Sequence, residues 1–180
     1  MVEKFAYVAG LRLRDDRTGI VHDSSGRDDV VWAHMIRPPG CAWASTPGGF
    51  SNAIEAAERR WDARTGREIK VSLYPDLEDD VNMMLAYDFT LGITQGFGLG
   101  ALIGIHRKGA GSLRNLHAHI LWTTRQMAPG GFGAKIRELD EAPLSAFWVE
   151  FLRTVWAACV NRAFEKAKLP NRVDHRSYVR

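Results

Sequence analysis

The strongest constraint on how this chain folds is a pair of short runs, ALIGIH at 101–106 and HAHILWTTR at 117–125, joined by the turn-forming segment RKGAGSLRN. Short apolar runs bounded by Gly, Ser and Asn read as antiparallel strands, here a β-hairpin with a long loop. Residues two apart on a strand share a face, roughly 7 Å apart along it. His117 and His119 therefore project to one side, and Ala118, Ile120 and Trp122 to the other, the core side. His106 closes the first strand, and the hairpin places it near the other two. One face of this hairpin must be covered by apolar partners; the other is polar and available.

The rest of the chain supplies what covers it. In REIKVSLY, Ile69, Val71 and Leu73 alternate with Glu68, Lys70 and Ser72, the period of a half-buried strand. Ser51 or Asn52 can cap a helix running to about residue 64, with Ile54, Ala57 and Trp61 on one side. Pro75 and Asp76 open a second helix carrying Leu77, Val81, Met84, Leu85 and Phe89, and TQGFGLG then reads as a turn. The segment 37–50 and the glycine-rich PGGFGAK read as loops, and the tail NRVDHRSYVR as irregular. A last long helix spans about 143–168, with Leu144, Phe147, Trp148, Phe151, Val155, Trp156, Cys159 and Val160 as its apolar stripe. This order predicts an α+β fold: an antiparallel sheet, helices packed on one face, and a site on the other.

Composition narrows the class without naming an activity. A length of 180 residues suits one domain, 1–180, and 46% hydrophobic with 25% charged residues excludes disordered and fibrous chains. The net charge of +3 leans towards a polyanionic partner. Cys41 and Cys159 are isolated, so the expected setting is a reducing cytoplasm. The N-terminus MVEKFAYVAGLRLRDD has no signal-peptide pattern, and no uncharged run approaches the roughly 18 residues of a membrane span, so no membrane insertion is expected.

Three neutral imidazoles with coordination positions left open make a catalytic rather than a structural metal site. A structural site closes with a fourth ligand, often a thiolate, and neither cysteine is spaced to supply one. The competing reading, that an HxH pair is merely surface or hydrogen-bonded histidine, loses ground to the third histidine one hairpin away. Glu68 fits two readings: a carboxylate that receives a ligand's second ring N–H and fixes its aim, or a solvent-facing strand residue. His175, between Asp174 and Arg176, reads as part of a salt-bridged loop cluster, and His22 as a local residue. Lys135 and the glycines before it fit either a phosphate contact or, more commonly, a mobile glycine loop. Trp32, Trp43 and Trp122, with several arginines, are candidate stacking residues for a polyanionic partner.

IHRKGAGSLRNLHAHILWTTR resembles the three-histidine motif of the MobA/MobL relaxases, a family of the HUH endonuclease group. The resemblance continues, in the family's order, through AYVAGLRLRDDRTGIVHD, GREIKVSLYPDL, GGFGAKIRELD and the closing RVDHRSY. It implies that Tyr7 is the nucleophile, that His106, His117 and His119 bind a divalent metal (Mn or Mg, with Zn compatible), and that Glu68 supports the ligands. It also implies an activity: nicking and rejoining one DNA strand at a plasmid transfer origin through a 5′-phosphotyrosyl link, alongside accessory mobilisation proteins and a coupling protein. Relatives begin with a further hydrophobic strand before the tyrosine, so a missing first strand and an N-terminal truncation are expected. Two alternatives stay open. One is a rolling-circle initiator or transposase-like nickase using Tyr178; the other is an inactive remnant that binds single-stranded DNA.

Overall fold

In the computed structural model, residues 1–107 and 115–176 are described. A four-stranded antiparallel sheet forms the centre, in the spatial order β3 (Val30–Ile36), β5 (Ala101–Arg107), β6 (Leu116–Thr123), β4 (Gly66–Ser72). The ladder pairs His106 with His117, Gly104 with His119, and Lys70 with His119 on the far side of β6. That register puts Glu68, Lys70, His117, His119, Gly104 and His106 on one face, because directly paired residues point the same way. On the opposite face lie Ile69, Val71, Ile103, Ile105, Ala118, Ile120 and Trp122.

Two helices cover that apolar face. From α3 (Asp79–Phe97) come Leu85, Ala86 and Phe89; from α4 (Leu144–Lys166) come Trp156, Val160 and Phe164, all packed with the sheet residues in one core. The α+β architecture, with an antiparallel sheet, is as the sequence predicts. The site face is not bare, however. α1 (Val2–Ala9) and α2 (Pro47–Ala56) pack part of it, burying Phe5, Val8, Phe50 and Ile54 against Leu102 and Leu121 in a second core. Two small hairpins complete the fold: β1 (Arg12–Arg14) with β2 (Val21–Asp23), and β7 (Arg125–Ala128) with β8 (Gly131–Lys135).

Several boundaries differ from expectation, each for a local reason. α2 starts earlier because Thr46 caps it, accepting from Gly49 N–H at 3.1 Å with Pro47 at the first helical position. It stops at Ala56, and Trp61, expected on its apolar face, is 92% exposed. α3 begins after the expected Pro75 because Asn82 folds back on the preceding turn, donating to the Tyr74 and Leu77 carbonyls and accepting from Tyr74 N–H. It then runs through the expected TQGFGLG turn, ending only where Gly98 adopts φ 66° and donates to Thr94. The expected PGGFGAK loop holds strand β8, whose Phe132 packs edge-on to Trp43. Strand β3 was not anticipated, and the stretch around Tyr7, given no element from sequence, is helix α1.

Cys41 and Cys159 are free thiols. Among the described residues no helix is long and apolar enough to cross a membrane.

Candidate metal centre and its tyrosine

The three histidines expected to act together are brought together. Their ring centroids lie 4.7–5.6 Å apart, and one nitrogen from each lies within 4.8 Å of the others. His106 is fully buried, and His117 and His119 are each 7% exposed.

Each ring spends one nitrogen on an acceptor, and the acceptor fixes the tautomer. His106 Nε2 donates to the Val8 carbonyl at 2.9 Å, and His117 Nδ1 to the Asn115 carbonyl at 2.8 Å. His119 Nδ1 donates to Glu68 Oε1 at 2.8 Å. A carbonyl or carboxylate oxygen can only accept, so each of these nitrogens carries the proton and the other ring nitrogen keeps its lone pair. The three lone pairs belong to His106 Nδ1, His117 Nε2 and His119 Nε2. His106 Nδ1 and His119 Nε2 are buried without a hydrogen-bond partner among the described residues. Two orphaned acceptors of this kind cost free energy in an apo protein. A divalent cation shared by the three nitrogens removes that cost, so the donor set fits one.

Electrostatics keeps the three imidazoles neutral, the form that could hold a metal. Burial pushes all three histidine pKa values below the ordinary 6.5, outweighing the hydrogen bonds that pull the other way. For Glu68 burial alone would raise the pKa, but hydrogen bonds from Lys4 Nζ (2.5 Å) and His119 together hold it below the usual carboxylate value. The result is an ionised carboxylate against a neutral imidazole, the arrangement that orients a metal ligand and raises its basicity.

These shifts carry a stability consequence. Below 6.5 the unfolded histidines take up protons that the native ones resist, so the unfolded state gains protons first and stability falls as pH falls. Thermal melts in metal-free buffer are expected to be flat from pH 8 to 7 and to drop steadily from pH 6.5 to 5. A midpoint that does not change down to pH 5 contradicts this reading of the cluster.

Tyr7 stands at the mouth of the site. Its ring meets His106 and His119 edge-on, at centroid distances of 5.5 and 5.6 Å, and it is 39% exposed. The helix carrying it comes down onto β5 where Gly104 leaves space, and the Val8 carbonyl that ends this approach is the acceptor for His106. Arg27, in the loop before β3, lies over the Tyr7 ring with its guanidinium carbon 3.9 Å from the centroid.

Sequence reasoning missed Lys4, Arg27 and the Val8 and Asn115 carbonyls. Gly104 did carry a signal, since a glycine inside an apolar strand marks close backbone approach. Of the stacking candidates, Trp122 is excluded by burial in the apolar core, at 3% exposure. Trp43 is tied to the Ala128 carbonyl, and Trp32 stacks on His34. Lys135 donates to the Arg64 carbonyl at 2.7 Å and lies 3.3 Å from Glu58. His175 lies in a cluster with Glu150, Asp174 and Arg176, away from the three histidines. Tyr178 lies outside the described residues.

Fold and site define a class: antiparallel α+β proteins that present three convergent imidazoles beside an accessible tyrosine. Within that class the chain belongs to the MobA/MobL family, whose model matches residues 1–180. Mobilization protein MobL of Acidithiobacillus ferridurans is 29% identical over 97% of this chain and 53% of its own length. A probable mobilization protein MobA of Bifidobacterium longum is 30% identical over 76% of this chain and 24% of its own. The chain thus spans about half of the first of these relatives and less of the second. A solved structure from work on the molecular basis of vancomycin resistance transfer in Staphylococcus aureus shares the fold. Its TM-score is 0.84 at 22% identity, covering 98% of this chain and 91% of that one.

Proposed function

We propose that this chain is a DNA-nicking relaxase module for plasmid mobilisation. In this reading Tyr7 attacks a phosphodiester at a transfer origin and the three histidines hold a divalent metal. The observation that carries the reading is the convergence of three buried histidines, one nitrogen of each within 4.8 Å of the others, with a partly exposed tyrosine against two of the rings.

The reaction is an exchange of phosphate esters. The Tyr7 oxygen forms a bond to phosphorus, the bond to the 3′ oxygen breaks, and the strand leaves with a free 3′ hydroxyl. The 5′ end stays on the protein as a tyrosyl ester, so the reverse attack by a 3′ hydroxyl reseals the strand without a nucleotide cofactor. When bound, a divalent cation supplies positive charge at the non-bridging phosphate oxygens, where charge develops in the transition state. The neutral ligands leave that charge undiminished, and Mn²⁺ or Mg²⁺ suits phosphate oxygens best, with Zn²⁺ compatible with imidazole. His106, His117 and His119 hold their lone pairs inward, Glu68 and the Val8 and Asn115 carbonyls lock the rings, and Lys4 keeps Glu68 ionised. Single-stranded origin DNA is the substrate in this reading, with accessory mobilisation proteins and a coupling protein as further partners.

The test is adduct formation. Protein incubated with single-stranded transfer-origin oligonucleotide and Mn²⁺ should yield a covalent species on a denaturing gel. Chelation or His117→Ala should reduce it at least 100-fold, and calorimetry should show His117→Ala binding Mn²⁺ much more weakly. An adduct at wild-type yield in both cases sinks the metal-dependent mechanism.

A further inference from the structure

We propose that Arg27 is a positioning residue for the nucleophile: its guanidinium clamps the Tyr7 ring against the histidine cluster and so holds the phenol oxygen in the line of attack. This rests on the reading of Tyr7 as the nucleophile.

The geometry is specific. Tyr7 sits on the last turn of an eight-residue helix and is 39% exposed, so packing alone restrains its ring weakly. Two of its contacts are edge contacts to His106 and His119; Arg27 covers a ring face, 3.9 Å from the centroid. Arg27 is itself fixed. Its Nη2 donates to Asp29 Oδ2 at 2.6 Å, and the Asp29 carbonyl accepts from Arg107 N–H at 2.7 Å, at the end of the strand that carries His106. One strand end therefore anchors both a candidate metal ligand and the group that holds the ring.

This placement runs against stability. An arginine on a surface loop can pair with an aspartate and leave the rest of its guanidinium in water. The Arg27 side chain is only 24% exposed, and its Nε is buried without a hydrogen-bond partner among the described residues. A buried N–H left unpaired is costly, and local costs of this kind gather where function sets the geometry. What the side chain gains in return is its place over Tyr7. Arginine suits the role better than lysine, because its planar group stacks on a ring face while one of its N–H groups still donates to a carboxylate.

The experiment follows adduct formation in a single turnover, with Mn²⁺ and increasing transfer-origin oligonucleotide. Arg27→Ala should lower the rate at saturation about tenfold, the scale of a lost cation–π clamp and a misaimed nucleophile. The half-saturating oligonucleotide concentration and the Mn²⁺ affinity should stay within about twofold, and Arg27→Lys should recover part of the rate. An unchanged saturating rate overturns the proposal. So does a raised half-saturation point at constant rate, which would make Arg27 a DNA contact instead.

A second measurement does not depend on nicking. In protein labelled with 3-fluorotyrosine, Tyr7→Phe assigns the Tyr7 fluorine resonance, and Arg27→Ala should shift and narrow it. No change overturns the clamp even if the wild type forms no adduct. Absence of any wild-type adduct counts against the nicking reading, which separates the two failures.

Discussion

Tyr7→Phe is expected to abolish the covalent protein–DNA adduct while leaving the fold and the metal affinity as they are. The substitution removes one oxygen and keeps the ring, so the edge contacts with His106 and His119 and the Arg27 stack persist. Tyr7 is 39% exposed and outside both cores, so stability should change by less than about 0.5 kcal/mol. Without the hydroxyl there is no oxygen to form the phosphate ester, and the loss should be complete rather than partial. The measurement is a denaturing gel with end-labelled transfer-origin oligonucleotide and Mn²⁺, comparing wild type, Tyr7→Phe and Tyr178→Phe. The last should match wild type. An adduct that survives Tyr7→Phe and disappears in Tyr178→Phe would move the nucleophile to the C-terminal segment and favour the replication-initiator or transposase-like alternative.

The sequence made the histidine cluster legible and left the surroundings of Tyr7 obscure, and the reason is physical. A strand repeats every two residues, so HAH and the alternation around Glu68 declare which side chains share a face, whatever packs there later. The contacts that aim those side chains have no such signature. Two of the three acceptors are backbone carbonyls, Val8 and Asn115, which any residue could supply. Arg27 reaches Tyr7 across 20 positions through a loop whose path only the fold decides.

Elsewhere tertiary context overrode local signals. Gly96, Gly98 and Gly100 made the end of α3 look like a turn, yet Phe89, Thr90 and Thr94 are buried and the helix continues to the glycine that can cap it. β3 was obscured because VVWAHMI lacks clean alternation: its Val30–Trp32 stretch contains a bulge, and most of the strand lies at the sheet edge. The Thr46–Pro47 start of α2 was readable, since a capping hydroxyl before proline is a helix opening; the flanking glycines drew the reading towards a loop.

Gly104→Ala should separate the histidine cluster from its tyrosine, and it is the sharpest test of how the two halves are joined. A Cβ at this position would lie 2.1 Å from the Val8 carbonyl oxygen and 2.9 Å from its carbon. That oxygen belongs to the backbone near the end of α1 and already accepts from His106, so it cannot swing aside as a flexible side chain would. The helix must lift instead, and three effects follow from one methyl group. Overpacking should cost about 1–3 kcal/mol of stability. His106 loses the acceptor that fixes its tautomer, which should weaken Mn²⁺ binding about 10- to 100-fold. Tyr7 moves with α1, and a displacement near 1 Å should slow adduct formation by roughly 100-fold. Gly96→Ala is the matched control. Nothing lies within 4 Å of a Cβ there, and alanine in the last turn of α3 should leave stability within about 0.5 kcal/mol without touching activity. Thermal melts, Mn²⁺ calorimetry and single-turnover adduct rates on the two variants read all three effects. If Gly104→Ala binds metal and forms adduct like the wild type, the docking of α1 on β5 does not set the site, and the nucleophile must be positioned by some other contact.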